Sequence, residues 1–165
     1  MSKISPCLWF DKNAEEAVSF YLSVFKDGKI LRKSYYAEVP PDEVPTPGWP
    51  PPGSVLTVEF ELFGQTYTAL NGGPEFKFNE AVSLMVDCET QEELDAYWAA
   101  LTADGGREVQ CGWLTDKFGL SWQIVPSVMA RLMTTPDKAA QARVMRAMLK
   151  MVKLDIAALK KAAEG

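Results

Sequence analysis

The sequence predicts an α+β fold: two tandem βαβββ modules whose sheets form a curved cleft, followed by a C-terminal helical tail. Three observations carry this. The stretch from Cys111 to Pro126, CGWLTDKFGLSWQIVP, reads as a β-hairpin, with apolar runs flanking a polar turn at Thr115, Asp116 and Lys117. It has a degenerate earlier copy, because Phe63-Gly64 and Tyr67 match Phe118-Gly119 and Trp122 at a spacing of 55. Upstream, Cys7-Leu8 matches Ser83-Leu84, Asp11 matches Asp87, Glu16 matches Glu92 and Tyr21 matches Tyr97, at a constant spacing of 76. The first module takes residues 1–75, with a proline-rich insertion at 40–53. The second takes 76–126 and the helical extension 127–165, all in one globular domain.

In chain order, Lys3 to Phe10 reads as a strand, and Asn13 with Glu16 three residues on reads as a capping box opening a helix to Phe25. Lys29 to Glu38 is extended. The insertion then holds seven of the 11 prolines, which no regular ladder can pass through; Trp49 within it either pins the loop or covers a pocket as a flap. Ser54 to Leu62 alternates, with Leu56, Val58, Phe60 and Leu62 on one face, and Phe63-Gly64 turns it into Gln65 to Leu70. Ala81 to Asp87 is the next strand. Thr90 caps a helix running to Ala103, Gly105-Gly106 stops it, and the hairpin follows.

After Pro126 the pattern turns helical. Thr134 or Thr135 caps a helix with Pro136 in its first turn, and Met145, Leu149, Val152, Ile156 and Leu159 form one apolar stripe. That stripe packs on its own domain or on a second subunit. A membrane-surface helix is the weaker alternative, since the rest of the chain is acidic and the stripe lacks aromatics.

Composition narrows the function. A net charge of −5 argues against a nucleic-acid partner, and no apolar run approaches the roughly 20 residues that span a bilayer. A cytoplasmic protein is expected, with Cys7, Cys88 and Cys111 as reduced thiols. The chain has no histidine. Histidine-based acid–base catalysis, the Ser-His-Asp and Cys-His arrangements, and the commonest transition-metal ligand are therefore all absent.

One helix covers only one face of each sheet, so the other face is left for a ligand. By parity Leu8, Phe10, Val82, Leu84, Val86, Trp122 and Ile124 lie under the helices. The opposite set, which includes Cys7, Trp9, Thr68, Ser83, Met85, Ser121 and Gln123, is more polar. Glu59 shares that face and is the candidate general base, or else a solvated strand carboxylate beside Glu61. Cys7 and Ser83 are repeat-related ligand-binding candidates, although a nucleophilic Cys7 needs a nearby cation and otherwise is a small packed residue. Thr68 completes the polar set. Gln123 can hydrogen-bond a ligand or serve as a satisfied interior amide, and Trp9 and Trp113 suit a planar or apolar ligand or simple packing.

The strings LWFDKNAEEAVSFYLSVF, NEAVSLMVDCETQEELDAYW and CGWLTDKFGLSWQIVP resemble the vicinal-oxygen-chelate superfamily of glyoxalase I and the bleomycin resistance proteins. More closely they resemble its PhnB-like branch, labelled 3-demethylubiquinone 3-methyltransferase-like, and the tail MLKMVKLDIAAL is similar to that branch as well. The resemblance implies paired βαβββ modules, commonly in a homodimer. It also implies four metal-ligand positions, which fall here on Ser5, Thr68, Ala81 and Gln123. None is a strong metal ligand, and no G-x-G string marks a nucleotide-type cofactor, so neither metal nor cofactor is expected. Two readings follow. One is a metal-free small-molecule binding or sequestering protein with an aromatic-lined cleft in a homodimer. The other is an enzyme of the same superfamily: the methyltransferase of the label, or a metal-dependent lyase or dioxygenase with atypical ligands.

Overall fold

The computed structural model describes residues 3–40, 42–44 and 48–165, so part of the proline-rich insertion, positions 41 and 45–47, lies outside the described residues. The chain divides into two compact units, residues 1–77 and 78–165. In the first, β1 (Cys7–Phe10), α1 (Ala14–Val24), β2 (Gly28–Tyr35), β3 (Val55–Leu62) and β4 (Gln65–Asn71) build a sheet of order β1-β4-β3-β2. In the second, β5 (Leu84–Cys88), α2 (Gln91–Thr102), β6 (Arg107–Glu108), β7 (Trp113–Thr115) and β8 (Ser121–Pro126) build a sheet of order β5-β8-β7-β6. Each is the strand, helix and three strands read from the repeat. The first strand of each pairs parallel with the last, and the remaining pairs are antiparallel.

The helix-covered faces follow the alternation closely. Leu8, Phe10, Val58, Phe60 and Ala69 are buried against Ala17, Val18 and Tyr21 of α1, with Tyr21 stacked on Phe60 at 6.3 Å and Phe60 on Tyr67 at 5.3 Å. Trp122 and Ile124 are buried beside Leu94, Trp98 and Leu101 of α2 in the second unit. Val82 departs from expectation. It is 71% exposed, because β5 starts only at Leu84 and leaves Val82 outside the ladder. Ser121, expected on the open face, is buried at 1% exposure.

The two helices are capped differently. Thr90 Oγ1 caps its helix as the sequence predicts, accepting from Glu93 N at 3.2 Å, while Glu93 Oε2 accepts from Glu89 N at 2.8 Å, one residue before the N-cap. Asn13, by contrast, makes no side-chain cap. The cap comes from β4, where Asn71 Oδ1 accepts from Ala14 N at 2.9 Å. Asn71 Nδ2 donates to Val55 O at 3.0 Å, and Tyr36 Oη donates to Asn71 O at 2.5 Å, so one buried amide ties α1, β3 and the end of β2 together.

The hairpins close on different turns. Phe63 and Gly64 have φ of 47° and 77°, the left-handed pair of a two-residue hairpin turn. The β7–β8 connection is longer, residues 116–120, and is built on Asp116, 3% exposed. Its Oδ1 accepts from Phe118 N (2.9 Å) and Leu120 N (3.0 Å), and its Oδ2 accepts from Trp122 Nε1 (2.8 Å). The carboxylate thus fixes both the turn and the largest core ring of β8.

The tail is three helices, α3 (Val128–Met133), α4 (Lys138–Met148) and α5 (Ile156–Glu164), and the single stripe is broken between α4 and α5. Asp137, not Thr134 or Thr135, caps α4 by accepting from Ala139 N and Ala140 N, and Asp155 caps α5. The break has a packing cause. Cys111 N and Gly112 N donate to Met151 O and Val152 O at 2.8 Å, and Gln91 bridges Leu154 O and Ile156 N, which holds residues 151–155 out of helix against the second module. Gly112, at φ 84°, leaves room for Leu154; a Cβ there would lie 2.9 Å from its Cδ1. Leu154 and Leu159 are therefore buried, while Met145, Leu149 and Val152 stay 37%, 56% and 42% exposed.

Replacing Asp116 with Ala strands three N–H donors, one of them on a buried tryptophan. We expect a loss of about 3 kcal/mol in urea unfolding, since each buried donor left unpaired costs about 1–3 kcal/mol before relaxation.

Candidate functional site

The helix-free face of each sheet brings most of the candidate residues into cross-strand rows. In the first module Cys7 pairs with Thr68, Thr68 with Glu59 and Glu59 with Arg32, a single row across four strands. The register also explains Glu59. Arg32 on β2 donates to its Oε1 at 2.5 Å, so the carboxylate is charge-paired within the sheet. Ile30 and Leu31 are adjacent on β2 and equally exposed, so alternation gives no parity signal for Arg32, and only the register places it. Trp9 lies one step along, half-buried. Its Nε1 donates to Gly73 O at 2.8 Å, its ring meets Phe76 edge-on at 4.9 Å, and a Cβ on Gly72 would come within 2.4 Å of that ring.

In the second module Met85 pairs with Gln123 and Gln123 with Trp113, forming the equivalent row. Gln123 Nε2 donates to Ser83 Oγ at 2.9 Å. That leaves the amide oxygen, a second amide hydrogen and the serine hydroxyl proton facing the same side as the Trp113 ring and the 64%-exposed Met85. The register revises the repeat at its first strand. Leu8 lies opposite Ala69 and Val86 opposite Ile124, so β1 and β5 correspond at a spacing of 78 rather than 76, while β4 and β8 keep 55. Ser83 therefore takes the place equivalent to Ser5 that the sequence repeat gave to Ala81, and Gln123 reaches it through its side chain. Ala81 lies before β5 in a turn, its N–H bonded to Asn79 Oδ1.

Trp49 stands edge-on to Tyr36 at 5.3 Å and lines a cavity of about 420 Å³ with Asp11, Lys12 and Glu15, so it both anchors its loop and walls a pocket. The cavity belongs to the first module and does not include Cys7, Thr68 or Glu59.

Residues 2–125 match the family model described as 3-demethylubiquinone-9 3-methyltransferase. The chain belongs to this family. Among solved structures it is similar to the PhnB protein from Bacillus cereus, which carries the same methyltransferase label, at 34% identity and a TM-score of 0.63, covering 76% of this chain and 100% of that one. It shares its fold with protein PA1353 from Pseudomonas aeruginosa (20% identity, TM-score 0.54, covering 76% and 98%). The same holds for the fosfomycin resistance protein FosX from Listeria monocytogenes (11%, 0.52, covering 79% and 96%). No curated protein matches the sequence.

The groups this kinship implies do not fit the residues present. With Ser83 in place of Ala81, the positions matching the superfamily's ligands are Ser5, Thr68, Ser83 and Gln123, three hydroxyls and an amide. A divalent ion needs anionic or imidazole donors to offset its dehydration, and neutral oxygens alone do not supply them. Among the described residues no three His, Cys, Asp or Glu side chains converge as a metal set. The methyltransferase label implies a nucleotide-type methyl donor. The strand-to-helix turn that would seat one, Asp11-Lys12-Asn13, has no glycine to let backbone approach a ligand, so no methyl-transfer step is assigned.

The cysteines are free thiols. Burial, helped by the carboxylates of Glu93 and Asp87, pushes Cys88 from 9.0 up to about 12, and partial desolvation raises the Cys7 thiol as well. Neither is an activated nucleophile. Cys88 favours the folded state most while protonated, so its stabilising contribution is full below about pH 9 and is lost as pH climbs toward 12. We expect the urea midpoint to fall over that range in the parent and to fall less in Cys88→Ala. Iodoacetamide at pH 7.5 should modify Cys7 more slowly than a free cysteine and Cys88 only after unfolding.

Proposed function

We propose that the chain is a metal-free small-molecule binding or sequestering protein that works as a homodimer, its ligand lying on the helix-free sheet face of the second module against Trp113. The observation that supports this most directly is the Ser83–Gln123 hydrogen bond in the row of Met85 and Trp113. Neutral donors and acceptors beside an aromatic ring and a thioether recognise an organic molecule with a polar edge, and they suit no cation. Cys7 and Thr68 lie on the first module's own open face. The exposed Met145, Leu149 and Val152 give a second copy an apolar face to cover. Among the described residues no helix is long and apolar enough to cross a membrane.

The competing reading, an enzyme of the superfamily with Glu59 as base, rests on the family label. Arg32 weighs against it, because the guanidinium occupies Glu59 Oε1 and leaves only Oε2 to take a proton.

Native mass spectrometry of untagged protein tests both readings, with zinc, nickel or manganese added and S-adenosylmethionine added separately. A dimer that takes up neither is expected; one metal per subunit, or stoichiometric cofactor, overturns the proposal. Fragment hits located by amide shifts at Met85, Trp113 and Gln123 should weaken about tenfold in Gln123→Leu, the worth of one good hydrogen bond.

A further inference from the structure

Two buried hydroxyls in the second module, Thr115 Oγ1 and Ser121 Oγ, have no hydrogen-bond partner among the described residues. They are direct cross-strand neighbours in the β7–β8 ladder. Leaving a buried hydroxyl unpaired is costly, and nearly all such groups in folded proteins find a partner. An adjacent pair without one marks a place where the partner comes from outside the chain.

The surroundings say what kind of partner. Thr115 lines a cavity of about 370 Å³ with Phe78, Asn79, Glu80, Arg107 and Lys117. Arg107 on β6 pairs with Thr115, so guanidinium, threonine and serine residues occupy one row across three strands. The ion pair of Arg107 with Glu80 spans 3.6 Å between two well-exposed side chains, longer than a charge-assisted hydrogen bond, which leaves the guanidinium fork open to a competing oxyanion. Asp116 also borders the cavity, but its carboxylate oxygens accept from Phe118 N, Leu120 N and Trp122 Nε1, which spread its charge into the protein.

We propose that the Arg107–Thr115–Ser121 row is a subsite for the oxyanion group of a small organic acid, carboxylate or phosphoryl. Arg107 supplies the charge and a bidentate donor pair, and Thr115 donates its hydroxyl from the cavity wall. Ser121, one strand further in, does not line the cavity and backs Thr115 from the next strand. Glu80 is displaced to solvent when the anion arrives. The row adjoins the Met85–Gln123–Trp113 row on the same sheet face, so the proposal rests on the binding reading above and assigns the ligand a negatively charged end.

The test is an amide-resonance titration at constant ionic strength, with inorganic phosphate and benzoate as separate probes and chloride as the control. Saturable shifts at Arg107, Thr115 and Ser121 are expected with at least one probe, and the probe that acts identifies phosphoryl or carboxylate as the group preferred. Arg107→Gln, a change on an exposed side chain, and the double variant Thr115→Val/Ser121→Ala should each weaken that binding at least tenfold. The double variant should also raise the melting temperature of the free protein, since two unpaired hydroxyls leave its interior. Shifts that are linear and chloride-like, or that persist in the variants, overturn the subsite, as does a lowered melting temperature in the double variant. If neutral fragments still bind at Gln123 and Trp113 while both anions fail, the subsite falls and the binding reading stands.

Discussion

A four-stranded sheet has two faces and each module supplies one long helix, so half of every sheet is left without cover from its own helix. That constraint orders the rest of the molecule. The apolar alternation of β3, β4 and β8 serves the covered side, where Phe60, Trp122 and Ile124 lie beneath α1 and α2. The residues between them, Glu59, Thr68, Gln123 and Trp113, are thereby held in fixed rows on the other side. A surface presented on strands is more exact than one on loops, because ladder hydrogen bonds set every side chain's position along its row.

Single buried polar side chains then lock each module. Asn71 and Asp116 do equivalent work at opposite ends of their hairpins: one caps α1 from the end of β4, the other closes the β7–β8 turn and holds the Trp122 indole. Each binds backbone groups that would otherwise be buried without partners, so each position tolerates little change. The tail is fastened by the same means, with Gln91 clamping the non-helical stretch before α5 and Arg143 donating to Ala162 O and Ala163 O at the C-terminal end of α5.

The open faces of the two modules have diverged in charge. The first carries its charge paired in place, Arg32 on Glu59 and Lys29 on Glu61. The second is neutral along Met85, Gln123 and Trp113, and its guanidinium lies only loosely paired at the edge. Family membership carries the scaffold, and along its open strands this chain sets hydroxyl and amide groups where a cation would require anionic donors.

The sequence by itself determined the two modules, their element order and most of the covered core, because alternation at period two and the internal repeat are local signals that need no partner to be read. It also placed Cys7, Thr68, Ser83 and Gln123 on the open side. Tertiary structure alone decided the register, and with it the pairing of Glu59 with Arg32 and the shift that puts Ser83, not Ala81, beside Gln123. Slipping β5 by two residues preserves the parity of every side chain, so the pattern is blind to it. The cap of α1 by Asn71, the buried role of Asp116 and the break in the tail were hidden for a related reason. Each depends on a backbone group distant in sequence or on a turn geometry, and a hydrogen bond across 57 residues leaves no trace in the spacing of apolar side chains.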